Sequence, residues 1–340
     1  MPTVLVTGAA GFIGAHVCRA LLDGGYRVIG VDNHNDYYDP ALKEARLTHV
    51  IDTGAHDGRY THHRLDLLDL DGLRAVFNED APDYVMNLAA QAGVRYSLEN
   101  PFAYVDTNVR GFLNILEMCR HTDVKHLVYA STSSVYGANT AMPYHEEHGV
   151  KHPLSLYAAT KLANEDMAHS YSHLYGIPTT GVRFFTVYGP WGRPDMAMFK
   201  FTKAILEGTP IDLYNYGRHG RDFTYVDDIV QGLIRMIPTP ATPDPTWDAA
   251  APNPSTSAAP WRIYNIGANA RVDLMDYVQA IEQATGKTAQ TNLLPMQATD
   301  VPDTYADVTK LITEFDYTPT VMVNEGIERF VTWYRAFYKI

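Results

Sequence analysis

Thr3-Val-Leu-Val-Thr7-Gly8-Ala-Ala-Gly11-Phe-Ile-Gly14 opens the chain, and its reading decides the fold. Thr3 to Thr7 is a short apolar run of the kind that forms a strand buried on both faces. After the three glycines, Ala15, Val17, Cys18, Ala20, Leu21 and Leu22 recur at helical spacing to about Asp23. Gly24-Gly25 then ends the helix. Arg27 to Val31 reads as a second strand, closed by Asp32, 18 residues beyond Gly14. Strand, glycine turn, helix, strand and acid form the unit that binds a dinucleotide. The glycines allow the tight turn, the close approach of a pyrophosphate and close helix–strand packing. The free N–H groups of the helix start face the phosphates. The candidate cofactor residues here are Gly8, Gly11, Phe12, Ile13, Gly14, Asp32 and Asn33. A carboxylate at Asp32 suits ribose hydroxyls and repels a 2′-phosphate, so NAD is expected rather than NADP. No arginine follows immediately; Arg46 is the next one along the chain and the residue that could argue otherwise.

Further along, strand and helix signals continue to alternate, which predicts an α/β chain of the Rossmann type. Its doubly wound parallel sheet should carry a smaller α/β substrate-binding lobe. Strands are expected at Thr61–Leu67, Tyr84–Leu88, His126–Ala130 and Thr179–Phe185. Helices are expected at Asp69–Glu79 and Pro101–Arg120, with Asn100 as the cap of the latter. The alternation breaks after Phe185. The division read here is 1–185 for the cofactor domain, with segments near 224–237 and 261–267 joining it, and 186–340 for most of the lobe. Seven prolines within 238–260 exclude a core element there and predict a surface loop. A last helix is expected from Val323 to about Tyr338.

The 340 residues are 46% hydrophobic and 19% charged, with a net charge of −12 and no basic run. That balance argues against nucleic acid or an anionic membrane as partner. No apolar stretch approaches the ~20 residues of a spanning helix. The chain begins directly with a strand, so no signal peptide is expected. Cys18 and Cys119 are the only cysteines, each in a helical run, which suits a reducing cytoplasm. The 14 histidines are scattered, and His62-His63 reads as surface, so no metal is expected.

Chemistry enters with Ser155-Leu-Tyr157-Ala-Ala-Thr-Lys161. Four residues apart on a helix, Tyr157 and Lys161 project from one face. An ammonium near a phenol favours the phenolate, so Tyr157 could act as a base near neutral pH. Some 25 residues earlier, Ser131-Thr132-Ser133-Ser134 follows a parallel strand at its carboxyl end, where open α/β sheets place their sites.

The glycine spacing together with Tyr157 and Lys161 resembles the extended branch of the short-chain dehydrogenase/reductase superfamily. The resemblance runs from residue 3 to the C-terminus. It implies that Thr132, Tyr157 and Lys161 are catalytic, with Tyr157 and Lys161 also contacting the cofactor. It places Asp66 and Leu67 beside the adenine, and lets Leu88, Ala89, Ala90 and Gln91 approach the cofactor. Asn108 matches a residue that supports the site. Ile211 to Asp228 resembles the nucleotide-sugar-binding part of sugar-nucleotide epimerases and dehydratases. There Arg221 matches a diphosphate-binding arginine and Tyr214 a residue that covers the uracil. Asp300 and Tyr305 lie in a polar loop that in the family closes on the nucleotide.

The longest words, among them Asp32 to Asp39, His152 to Lys161, Arg183 to Asp195 and Ala259 to Gly267, look like bacterial UDP-glucuronate 4-epimerases. That implies interconversion of UDP-glucuronate and UDP-galacturonate through a 4-keto sugar on retained NAD, in a homodimer whose interface uses helices near 101–120 and 155–175. Ser133, Ser134, Thr186 and Arg193 stand where the sugar carboxylate would need partners. Two enzymatic alternatives stay open, a UDP-glucuronate decarboxylase and a UDP-glucose 4-epimerase. A non-catalytic NAD sensor is the remote third. Decarboxylases usually carry an acid just before Val-Tyr-Gly, where this chain has Ser134.

Overall fold

The computed structural model describes every residue except 53–55, 57 and 298. Its strands in chain order are β1 (Thr3–Thr7), β2 (Arg27–Asp32), β3 (Tyr60–Arg64), β4 (Tyr84–Asn87), β5 (His126–Thr132) and β6 (Thr179–Phe184). They continue with β7 (Thr186–Tyr188), β8 (Ile211–Leu213), β9 (Gly220–Tyr225), β10 (Trp261–Ile266), β11 (Arg271–Asp273) and β12 (Thr291–Leu293). Seven of them form one parallel sheet in the order β10-β6-β5-β4-β1-β2-β3. The chain winds outward from β1 through β2 and β3, then returns to build β4, β5 and β6 on the other side. A crevice therefore opens between β1 and β4 at their carboxyl ends, where the winding reverses.

Strand periodicity sorts the core into two layers. Val4 and Val6 point into one apolar cluster, with Phe12, Val17, Cys18 and Leu21 of the helix Phe12–Asp23. Leu5 points into the other, with Leu73, Phe77, Ile115 and Leu116. Each such buried side chain contributes about 1.5–3 kcal/mol. The first cluster runs on into the lobe, where β11-β9-β7 form a small sheet and β12-β8 a two-stranded one.

The helix Leu156–Tyr175 positions the chemistry. Ser155 caps it, its hydroxyl accepting from the Ala158 N–H at 3.1 Å, and Gly176 ends it in a left-handed turn with φ 69°. Glu165, one turn beyond Lys161, is buried and accepts two bonds from Arg183 on β6, at 2.9 and 2.8 Å. It also accepts from the Ser131 hydroxyl on β5 at 2.5 Å. The helix is thereby fixed to both strands whose ends carry the hydroxyl residues.

Several boundaries differ from the sequence reading. The third strand stops at Arg64, because Asp66 turns its carboxylate back onto the Leu68 N–H at 2.9 Å and starts a turn. The fifth strand runs two residues further, to Thr132. The helical run from Pro101 to His121 is broken by a wider turn at Val105–Gly111. The proline-rich segment is irregular but only partly a surface feature. Ser255 and Ser257 are buried, and His169 and Lys310 bond to them at 2.8 and 3.3 Å. His62 is likewise only partly exposed. It lies 2.9 Å from both the Tyr60 hydroxyl and His34 Nε2, and burial lowers it to about 4.

Candidate active site

A cleft of about 470 Å³ follows the carboxyl ends of β1, β2, β4, β5 and β6 and runs under the lobe. Gly8, Gly11, Phe12, Ile13, Gly14, Asp32, Asn33, Asp66, Leu67, Leu88, Ala89, Ala90 and Gln91 line one arm. Thr132, Ser133, Ser134, Tyr157, Lys161, Thr186, Arg193, Arg221 and Asp300 line the other.

The first arm fits a dinucleotide. The turn is tight enough that a Cβ on Gly14 would stand 2.0 Å from the Gly8 carbonyl oxygen, and one on Gly11 2.9 Å from it. Gly8 holds φ at 71° with Ala89 of the neighbouring strand end close by. Only bare backbone fits this cradle. At its far end the two oxygens of Asp32 accept from the N–H groups of Ala10 (3.1 Å) and His34 (2.8 Å). Asp66 accepts from Asn33 at 2.7 Å. Lys43 falls in a stretch, Lys43-Glu-Ala-Arg46, that carries the family resemblance, but no site role was read for it from the sequence. It is buried, lines the cleft, lies 3.9 Å from Asp32 and donates to Asn35 at 2.9 Å. Burial lowers its affinity for a proton, and Asp32 opposes that. Arg46, the cation weighed for a 2′-phosphate, instead spends its donors on Ala10, Tyr38, Trp191 and Gly192.

In the second arm Thr132 and Tyr157 come together at the helix start. Burial pushes the Tyr157 phenol up, against the simple expectation of an easy phenolate. The Arg193 guanidinium, and after it the neighbouring Thr132 hydroxyl, pull it back. Burial lowers Lys161 to about 8, and Glu165 opposes that. Arg193 makes a two-pronged pair with Asp195, Nε to Oδ1 at 2.9 Å and Nη2 to Oδ2 at 2.5 Å, leaving Nη1 free of that pair. The Tyr37 hydroxyl donates to the same carboxylate at 3.2 Å. Burial works against the charge of Asp195, yet Arg193 holds it below the usual carboxylate range.

Three predicted residues do not line the cleft. Asn108 is buried beneath it and grips both the N–H (2.8 Å) and the carbonyl (3.1 Å) of Gln91, so it supports the wall rather than forming it. Tyr214 carries the Arg95 guanidinium 4.4 Å over its ring, and Arg95 pairs with Asp300 at 3.1 Å. Tyr305 is turned into a strand-like contact in which its carbonyl accepts from the Tyr144 N–H at 2.7 Å. Arg221 donates to the carbonyls of Gly220, Val301 and Pro302, each at 2.8 Å. Tyr37, Lys43, Arg95 and Asp195 are the residues that sequence reasoning missed. For Asp195 the signal was present, as the cation–acid pattern Arg193-Pro-Asp195 inside a stretch already singled out.

The model of the NAD dependent epimerase/dehydratase family matches residues 4–267. The chain belongs to that family. It is 47% identical over 339 residues to a probable UDP-glucuronate 4-epimerase of Rhizobium meliloti, covering 98% of this chain and 97% of the relative. It is 53% identical over 336 residues to protein CapI of Staphylococcus aureus, covering 99% of each. Among solved structures, the UDP-glucuronic acid 4-epimerase of Bacillus cereus in complex with UDP-glucuronic acid and NAD superposes with a TM-score of 0.86. That match is 33% identical and covers 99% of this chain and 100% of the other.

As a member of the NAD dependent epimerase/dehydratase family, the protein takes NAD as its cofactor, and the glycine cradle and Asp32 fit it. The lowered Lys161 carries a consequence for pH. Its folded value is about 8 against an ordinary 10.5, so the ammonium is complete below that value and is lost as pH rises through it. If turnover needs the ammonium, kcat should fall about tenfold per pH unit on the alkaline side. A pH–rate profile on the NAD-loaded protein checks this, and a profile flat well past that value would place the required proton elsewhere.

Proposed function

We propose that the protein is a UDP-glucuronate 4-epimerase, interconverting UDP-glucuronate and UDP-galacturonate. The observation that carries the reading is the second arm of the cleft. There Thr132 and Tyr157 meet beside three further hydroxyls, Ser133, Ser134 and Thr186, and the free Nη1 of Arg193. A sugar carboxylate would find donors at each of these and no carboxylate at Ser134 to repel it. The Rhizobium meliloti relative and the Bacillus cereus neighbour support the same substrate.

Bound NAD would supply the hydride acceptor and a positive charge beside the phenol. The chain supplies the rest. Tyr157 takes the proton of the sugar 4-hydroxyl and later returns it. Thr132 orients that oxygen, and the Lys161 ammonium and Arg193 keep the phenolate affordable in a buried site. The 4-keto sugar would turn within the cleft and take the same hydride back on its other face, so no net oxidation would result. Arg221 is assigned to the diphosphate, which would replace the backbone carbonyls it now holds. Tyr214 is assigned to the uracil, with Arg95 moving off its ring.

The alternatives separate on substrate and product. UDP-glucuronate should be turned over at least tenfold faster than UDP-glucose, as is typical when charged partners lose their ligand. Ser134→Glu should lower epimerisation by a similar factor or more, because it sets a carboxylate against a carboxylate. Equal rates on the two sugars, or an unaffected Ser134→Glu, would contradict the carboxylate site.

We also infer a division at 1–185, joined by segments near 224–237 and 261–267, from a lobe at 186–340. The pairing of β10 with β6 supports it. A cytoplasmic setting is inferred from the two free, buried cysteines. Among the described residues no helix is long and apolar enough to cross a membrane. A homodimer is inferred through the helical runs 101–121 and 156–175. Phe102, Val105 and Leu113 recur at helical spacing and are exposed, and Leu174 and Tyr175 are exposed on the second run. Sedimentation should give twice the chain mass, and Phe102→Glu should shift it toward the monomer. A wild-type monomer at micromolar concentration would contradict the assignment.

A further inference from the structure

Arg46 is fully buried and makes bonds to three separate parts of the chain. Its Nη1 donates to the Ala10 carbonyl at 3.0 Å and to the Tyr38 hydroxyl at 2.7 Å. Nε and Nη2 both donate to the Trp191 carbonyl, at 3.0 and 2.8 Å, and Nη2 reaches Gly192 at 3.5 Å. Every acceptor is neutral. Among the described residues no carboxylate pairs with it, although a buried charge ordinarily has such a partner.

The places it touches are not arbitrary. Ala10 lies inside the glycine turn, with its N–H already held by Asp32, so one peptide-length of the cofactor cradle is clamped from both sides by charged groups. Trp191 sits at φ 65°, a conformation unfavourable for a bulky residue, and the two bonds Arg46 makes to its carbonyl hold it there. Two residues on stands Arg193, whose guanidinium acts on Tyr157. A second tie runs parallel to the first, from Tyr37 to Asp195. Lysine could not reproduce this arrangement. It has no planar fork to grip one carbonyl twice while reaching two other acceptors.

We propose that Arg46 is a positioning residue that locks the cofactor turn to the loop bearing Arg193, and that its unpaired charge favours the NAD diphosphate. Its role is therefore double. The fork sets the distance between the two arms of the cleft, and the charge adds to the field at the phosphates. The substrate half of this inference rests on the UDP-sugar reading above, while the cofactor half does not.

Two variants separate fork from charge. Arg46→Lys keeps a cation and loses the fork. Arg46→Gln loses both. The readouts are NAD affinity by titration calorimetry on protein stripped of nucleotide, thermal midpoint, and KM and kcat with UDP-glucuronate. Arg46→Lys should hold NAD near the wild-type level while KM rises about tenfold or more, as a displaced binding group requires. Arg46→Gln should lose affinity for NAD as well. Two variants that are merely less heat-stable, with wild-type NAD affinity and KM once folded, would overturn the proposal. Should Arg46→Gln not fold, Arg46→Lys decides alone: a raised KM supports the fork, an unchanged KM overturns it. A wild type that does not act on UDP-glucuronate would sink the proposed reaction, and the NAD affinities would still judge Arg46.

Discussion

Tyr157→Phe should lower epimerisation by about 10²–10⁴-fold, the range supplied by a positioned general acid–base group. The substitution removes one oxygen and leaves the ring against Tyr104, with centroids 6.1 Å apart. NAD should therefore stay bound and the fold should be intact. The relevant comparison is turnover per bound NAD, so that cofactor loss cannot pass for lost chemistry. Because burial holds this phenol up, its role depends on the groups that pull it down. Arg193 and Thr132 lower it in the chain itself, and the Lys161 ammonium is assigned the same part. Residual activity within tenfold of wild type would mean that another group takes the proton.

Gly14→Ala should have the next largest effect, on the cofactor rather than the chemistry. The added Cβ would lie 2.0 Å from the Gly8 carbonyl oxygen, a backbone atom, with no flexible side chain to yield. Overpacking of this kind costs about 1–3 kcal/mol, roughly five- to 150-fold in NAD affinity if the turn absorbs the strain. Gly149→Ala is the control, since a Cβ there meets nothing within 4 Å. Loss of NAD in the first variant and not the second, read from absorbance and from titration, is the expected result. Wild-type affinity in Gly14→Ala would mean the turn is not the pyrophosphate cradle.

The cofactor half of this cleft was readable because its signals are local. Gly8, Gly11, Gly14 and Asp32 fall within one strand–turn–helix–strand unit, and short-range sterics and helix-end polarity dictate what each does. Tyr157 and Lys161 were readable for the same reason, being one helical turn apart. The substrate half was harder. Tyr37 meets Asp195 across 158 residues, and Arg46 meets Trp191 across 145. Neither pairing leaves a periodic trace. Lys43 was overlooked because a lysine on a short helix is usually solvated, whereas here the loop from Asp32 to Asp39 folds over it. Asn108, Tyr214 and Tyr305 were placed by resemblance alone. In this structure one supports the wall, one is covered by Arg95 and one faces Tyr144. The proline-rich segment misled in the other direction: its composition excludes a strand or helix but not burial of single serines against His169 and Lys310.

The most direct test of the account is to incubate the purified protein with UDP-glucuronate, without added NAD, and to follow the sugar H4 and anomeric protons by NMR while monitoring CO₂. The account predicts UDP-galacturonate, no CO₂, and turnover sustained by the NAD already held in the cradle. A pentose product with release of CO₂ would contradict it and make the protein a decarboxylase. No change even after NAD is supplied would contradict the assigned substrate altogether.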